Sequence, residues 1–410
     1  MVVNGHGRQI YNAELQRQYQ ARSIGGFGTL YAHPPFEVLL FLFAAWLPLK
    51  HAYLLWFLMS LGFLLVALRR LARDSLLAWE WTICFAVSLT FVPVLLCLQQ
   101  GQDSLLVLLP MIYGFAALRG NRPFSAGCWL GLALCKFQIV LPLVLVLLFT
   151  QSGKSRRGLL AAFSLVALVL VAASIAVCGW SVFLDYPRFL LALQASGVTP
   201  RAMANLRGLA YFFHPSDHAV WNIAVVSILS AVALIRTLMV WKSAPQAAIA
   251  GAPFTREHFD FAFASTVLFA LLASYYLNPH DLTLLLLPVV LMLNLVLAGR
   301  PALSSSSNWL VVGQFDPRVP FAPEIPRAAG ENAALRNDAG VSLAFTRANC
   351  TTTNWLLILL LGILFFPPVP LVTLIAHTFC LFSLPVIALF LTKPPTWRGA
   401  GGNSLPPEIG

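Results

Sequence analysis

The sequence predicts an all-α fold, a polytopic bundle of membrane-spanning helices. Three observations carry that prediction. Apolar residues make up 59% of the 410 and charged residues only 10%, against about a quarter in soluble domains. Mean hydropathy is +0.79. Apolar runs recur along the chain, and the longest can cross a bilayer as helices. Together these exclude a soluble globular protein, a disordered chain and a secreted disulfide scaffold. The alternating strands of a membrane β-barrel do not occur in the sequence.

In chain order, segment 36–47 comes first, bounded by Pro34-Pro35 and Pro48. It is too short to span and is expected to lie on the outer face or dip into it. Runs 51–69, 76–98 and 104–118 are read as crossings. Runs 124–135 and 139–150 hold twelve residues each, roughly 18 Å of helix. An apolar core of about 30 Å is out of reach for either. They are read as a hairpin of two half-helices with its tip at Lys136-Phe137-Gln138, below the outer surface. Runs 159–179, 220–241, 260–277, 282–299, 354–366 and 371–392 bring the expected count to eleven crossings.

Charge orients these runs, because short cytoplasmic loops collect Lys and Arg. Arg69, Arg70 and Arg73 follow the first span, and Arg119 with Arg122 the third. Lys154, Arg156 and Arg157 follow the hairpin, and Lys242, Arg300 and the pair Lys393/Arg398 follow later descending runs. The opposite ends are polar but weakly basic: 99–103, the loop 180–219, 278–281 and Pro367-Pro368. These ends are expected to face out of the cell, with the protein in the plasma membrane (the inner membrane of a two-membrane cell). The net charge of +11 therefore reports cytoplasmic loops, not nucleic-acid binding. The seven cysteines, Cys84, Cys97, Cys128, Cys135, Cys178, Cys350 and Cys380, show no metal-ligand spacing and read as small buried residues.

Five regions follow. Residues 1–35 are expected to form an outer-face N-terminal loop region, 36–300 the transmembrane core, and 301–353 a cytoplasmic disordered linker rich in Ser, Pro, Ala and Asn. A helical hairpin occupies 354–392 and a cytoplasmic tail 393–410. An odd number of crossings with a polar, basic N-terminus outside leads to a further expectation: a first ascending helix belongs ahead of Met1.

Polar groups at the outer ends of spans are the candidates for chemistry, because ionisable residues there are costly. Gln102 and Asp103 sit in a helix-to-helix turn; a plain polar turn is the alternative reading. Lys136 lies at the hairpin tip, where an ammonium calls for an anion or must snorkel to the interface. His280 and Asp281 follow Pro279. There Asp281 is read mainly as a helix cap, and His280 as a donor to a phosphate or a sugar hydroxyl. The loop 180–219 carries Arg188, Arg201 and Arg207, suited to an anion such as phosphate or simply solvated. The sequence shows no Gly-rich nucleotide loop, no His/Cys metal cluster and no nucleophile elbow.

Several stretches then resemble one family. They are 30–36 (LYAHPPF), Leu47-Pro48 with 52–56 (AYLLW), 101–106 (GQDSLL), 126–136 (AGCWLGLALCK) and His280-Asp281-Leu282. Their order and spacing are similar to family 87 of the glycosyltransferases, polytopic enzymes of the GT-C architecture that include a polyprenyl-phosphate-mannose-dependent mannosyltransferase. The resemblance covers roughly residues 5–300. It implies transfer of a hexose, with mannose expected, from a polyprenyl-phosphate-sugar to an extracytoplasmic glycan or glycolipid acceptor, in one inverting displacement. The donor is then a lipid-linked substrate, and no cofactor or metal is expected. Lys136, Arg201 and Arg207 would hold phosphate, while His280, Asp281, Gln102 and Asp103 would line the substrate pocket. The family's general base lies just after its first helix, a position upstream of Met1 here. The acids before residue 50 are Glu14 and Glu37, and neither sits at that motif. A transporter or lipid flippase is the alternative; it would put polar groups at mid-membrane on several helices.

Overall fold

The computed structural model describes residues 1–24, 30–73, 81–195, 200, 203–215, 220–249, 256–298 and 383–391. The linker 301–353, the tail 393–410 and most of the hairpin 354–392 lie outside the described residues. All regular structure among the described residues is helical. The helices are α1 (Ala13–Ile24), α2 (Val38–Phe41), α3 (Leu49–Ala72), α4 (Trp81–Ser88), α5 (Val92–Gln100), α6 (Ser104–Arg119), α7 (Pro123–Leu132) and α8 (Phe137–Thr150). There follow α9 (Gly153–Cys178), α10 (Ser181–Ala195), α11 (Leu206–Phe213), α12 (Val220–Ile249), α13 (Arg256–Ala273), α14 (Leu286–Ala298) and α15 (Ser383–Leu391). Short 3₁₀ segments at Pro35–Glu37, Ala133–Lys136 and Pro279–Leu285 carry the chain between them.

Four helical stretches are long and apolar enough to cross a membrane: Leu49–Ala72, Pro123–Thr150, Gly153–Cys178 and Val220–Ser243. The pair α4 and α5 makes a fifth if counted as one bent span. Eleven crossings are not reached among the described residues. Ser104–Arg119 and Pro279–Leu295 are apolar but shorter, and other expected runs fall outside.

The expected run 76–98 breaks where α4 meets α5, with a bend of 68°. Pro93 in the first turn of α5 has no N–H to continue the ladder and crowds the preceding turn. Local hydroxyls take up carbonyls there: Ser88 Oγ donates to Phe85 O at 2.7 Å, and Thr90 Oγ1 to Val87 O at 2.7 Å.

The stretch Pro123–Thr150 reverses direction at its 3₁₀ segment. A straight helix of 28 residues would be about 42 Å long and would carry α9 away from Pro123. Instead Gly158 lies against Pro123 and Phe124, Gly127 against Leu159, Ala162 and Phe163, and Gly131 against Phe163 and Val166. Positions on α7 and α9 advance together in direct contact, so the two helices run parallel and α8 carries the chain back to the start of α9. Gly127 and Gly131 are four residues apart, the small-xxx-small spacing that lets membrane helices approach closely.

The main core joins α3, α5, α6, α8, α13 and α14. Helix α13 is buried almost all round, as a central helix must be. By contrast α12 exposes Ile223, Ile228, Val232, Ile235 and Met239, an apolar surface suited to lipid. At one end of the bundle Arg119 on α6 meets buried Asp260 on α13 at 3.3 Å. The opposite end holds the turns 31–37, 101–104, 133–136 and 278–281.

Candidate active site

Three turns assemble the site. The first follows α5, whose last turn is closed by Gly101 at φ +64°. The Gln102 N–H returns to Cys97 O at 2.9 Å, a left-handed cap that suits glycine. The chain then enters α6 with Asp103 at its N-cap. The Asp103 side chain caps no helical N–H, which leaves its carboxylate for other partners.

The second turn is the hairpin tip. Lys136 ends the 3₁₀ segment and is 2% exposed. Its ammonium sits 2.8 Å from Asp103 Oδ1 and 3.1 Å from Asp281 Oδ1. The sequence reading asks this lysine to meet an anion; the fold supplies two carboxylates from within the chain.

The third turn precedes α14. Asn278 and Asp281 form a reciprocal capping box over Pro279–Leu285, which bears out the capping role read for Asp281. Asp281 Oδ2 accepts the Asn278 N–H at 2.9 Å, and Oδ1 accepts the Ser104 hydroxyl at 2.8 Å. Asp281 is therefore both cap and partner of Lys136. His280 Nδ1 lies 2.9 Å from Gln100 Oε1, while its Nε2 is buried, has no hydrogen bond, and stands 3.6 Å from Asp281 Oδ1.

Beside this network lie His33 and Glu37, which the sequence reading does not single out as site residues. Pro35 opens the 3₁₀ segment, and its fixed φ suits a first helical position. The i, i+4 spacing then brings His33 Nδ1 to 2.9 Å from Glu37 Oε2. The N-terminal segment holds this turn in place. The Tyr11 hydroxyl donates to His33 O at 2.6 Å, the Tyr31 N–H to Gln16 Oε1 at 2.7 Å, and the Gln16 amide to Ile10 O at 2.6 Å. His33, Glu37 and Asp103 each offer a ligand atom within 4.8 Å of the other two. Glu37 precedes the first spanning helix. Burial, then the charge of Asp103, push its carboxyl up to about 7 against the opposing pull of His33 and Lys136.

A cavity of about 740 Å³ opens onto this cluster. His33, Glu37, Gln102 and Asp103 line its polar side, together with Gln16 and Tyr19. Phe41, Leu42, Ala45 and Trp46 form an apolar wall. Lys136, His280 and Asp281 stand behind Asp103 and are not among the lining residues. Arg207 stacks on Tyr275, with Cζ 4.3 Å from the ring centre. Arg201 lies outside the described residues.

The family assignment agrees with this arrangement. The model of glycosyltransferase family 87 matches residues 31–274, more than half of the chain. The chain belongs to glycosyltransferase family 87. No curated protein and no solved structure matches it significantly. As a family 87 transferase it is an integral-membrane enzyme, and the matched segment includes His33, Glu37, Asp103 and Lys136.

Proposed function

We propose that the protein moves a hexose, mannose in the first instance, from a polyprenyl-phosphate-sugar to a glycan or glycolipid acceptor on the extracytoplasmic side. One observation carries this reading: a cavity with one apolar wall and one side of carboxylate, imidazole and amide groups. The apolar wall of Phe41, Leu42, Ala45 and Trp46 suits the first isoprene units of a lipid carrier. The polar side suits sugar hydroxyls, which hydrogen-bond well to carboxylates and amides.

In an inverting displacement the acceptor oxygen bonds to the anomeric carbon as the bond to the phosphate oxygen breaks. The acceptor proton goes to a base, and the lipid phosphate leaves as an anion. Asp103 and Glu37 face the cavity and can orient hydroxyls there. Lys136, Ser104 and Asp281 fix Asp103 and the turn before α14 from behind, so the polar side is ordered before substrate arrives. Arg201 and Arg207 remain candidates for phosphate. The charge pattern supports an outward-facing site, because the turns that build it are those with weakly basic flanks. Active-site polar groups gather at one end of the bundle rather than along several helices at mid-membrane, which favours transfer over transport.

The test is transfer of radiolabel from defined polyprenyl-phosphate sugars into membrane lipids and glycans by the purified, reconstituted protein. Labelled product with inverted anomeric configuration supports the proposal. Labelled sugar lipid moved between leaflets with no new glycosidic bond would establish a flippase instead.

A further inference from the structure

The donor proposed above carries a phosphate, yet the cavity that would receive it is negatively charged. Among the described residues lining it there is no Lys or Arg. Lys136 stands behind Asp103 and is already shared by two carboxylates. Glu37, Asp103 and Asp281 together face this single ammonium. Besides that ammonium, the direct partner of Glu37 is the His33 imidazole at 2.9 Å, so three buried carboxyl groups share one ammonium and the histidines beside them. Burying unpaired charge is expensive, and an entering phosphate makes the balance worse.

We propose that His33, Glu37 and Asp103 bind one divalent cation of the Mg²⁺/Mn²⁺ class, and that this cation meets the phosphate of the lipid-linked donor. Three features support it. The ligand atoms of the three residues lie within 4.8 Å of one another, close enough for a shared ion after small side-chain adjustments. Asp103 is 1% exposed, lines the cavity, and its Oδ2 has no donor. The His33 Nδ1 to Glu37 Oε2 separation of 2.9 Å equals an edge between adjacent ligands around a small cation whose bonds are about 2.0–2.2 Å. Two carboxylates and one imidazole form a mostly hard, oxygen-rich donor set that a divalent ion such as Mn²⁺ accepts, and the cavity supplies the entry path. A divalent ion offsets the carboxylates of Glu37 and Asp103 and brings a cation to a cavity whose lining holds no Lys or Arg side chain among the described residues.

The role of the ion in donor binding rests on the transferase reading; the site itself does not. The experiment uses the full chain, purified in detergent, stripped with chelator and titrated with Mn²⁺ alone under electron paramagnetic resonance. One bound Mn²⁺ per chain is expected, with the nitrogen coupling of one imidazole ligand. Glu37→Gln and Asp103→Asn should each weaken binding at least about tenfold. A wild-type chain that binds no Mn²⁺, or binds it without nitrogen coupling, overturns the site. So does unchanged affinity in both variants. The nitrogen coupling is read on wild type and decides the matter even where a variant fails to fold. Transfer from a polyprenyl-phosphate sugar is measured in parallel, with and without chelator. Full transfer by protein that binds no Mn²⁺ sinks the cation and leaves the transferase. Mn²⁺ binding with no transfer from any such donor keeps the site and sinks that donor. Bound Mn²⁺ whose removal leaves transfer unchanged overturns the ion's part in donor binding.

Discussion

Replacing Lys136 by Met keeps the side chain's length and removes its charge, so it isolates the electrostatic work of one ammonium. In the native fold that ammonium touches Asp103 at 2.8 Å and Asp281 at 3.1 Å, and all three side chains are at most 3% exposed. Lys136→Met leaves two carboxylates facing each other without a counter-charge. Removing one partner of a buried pair costs about 3–5 kcal/mol, and here two partners are orphaned, so the upper part of that range is expected. Asp103→Asn is the companion change. It leaves Lys136 paired one-to-one with Asp281, which keeps its Ser104 and Asn278 donors, and should cost about 1 kcal/mol. In the double variant one of the two orphaned charges is gone, so part of the loss should return, with a coupling of about 1–3 kcal/mol. Thermal and denaturant unfolding of the detergent-solubilised protein measures all four corners of the cycle, and transfer is assayed on each. Strict additivity, or a Lys136→Met protein as stable as wild type, would refute the view that this lysine holds the carboxylates together. If that stable variant has also lost transfer, Lys136 acts on the substrate, as the sequence reading expects.

Gly101→Ala forces a side chain into φ +64° and should cost about 1–2 kcal/mol, with transfer falling more steeply because Asp103 is re-aimed; transfer that follows stability alone would contradict this. Gly131→Leu meets Val166 Cβ at 2.7 Å from its own Cβ position, whereas Gly62 has open space. The first should broaden or abolish the monodisperse peak in detergent chromatography, and Gly62→Leu should leave it intact. His280→Ala removes the contact to Gln100 and should lower transfer at least about tenfold with little change in melting temperature. Asp281→Asn can still accept the Asn278 N–H but gives up its charge on Lys136, so it should lose about 1.5–3 kcal/mol and show the milder activity loss. Full activity in His280→Ala beside a dead but stable Asp281→Asn would reverse these two roles.

The helical class and the clustering of polar groups at one end of the bundle were legible because both follow from composition and charge. Long apolar runs leave little choice but helix, and weakly basic loops mark one end. Asp103, Lys136 and Asp281, separated in sequence, were each chosen as ionisable groups in apolar surroundings, and the fold joins them. The hairpin was legible from length alone, since neither half could span. Other features were not. The break at 89–91 hides in an apolar run whose Pro93 is the visible cue. The Gly127/Gly131 pair is visible as spacing, but a spacing does not name its partner helix. In the sequence His33 stands only within a family-like stretch, and Glu37 only as an acid away from the family's base motif. Their meaning depends on Asp103 arriving from a different hairpin, a long-range juxtaposition that local pattern does not encode. The charge of Arg207 was visible in the sequence, but its stacking on Tyr275 was not, because the two lie on segments far apart in the chain.

The network also explains why the site sits where it does. Asp103 and Ser104 begin α6, Lys136 begins the return of α8, and Asp281 caps the approach to α14. Each is at the start of an element whose body is packed into the common core. The polar contacts therefore add little freedom of their own; they are read off helices already fixed by apolar burial, and they set the register of three helix starts against one another. Ser104 and Asp103 are adjacent in sequence, and one bonds Asp281 while the other bonds Lys136, which itself bonds Asp281. In that closed ring Lys136 and Asp281 each hold two partners, so neither can rotate without breaking two contacts. The oxygen of the ring without a donor is Asp103 Oδ2, and Asp103 lines the cavity together with Glu37. A rigid ring behind and a carboxylate in front is an arrangement in which the cost of burying charge is met by the fold, so that the charge is in place before a sugar hydroxyl or a cation enters.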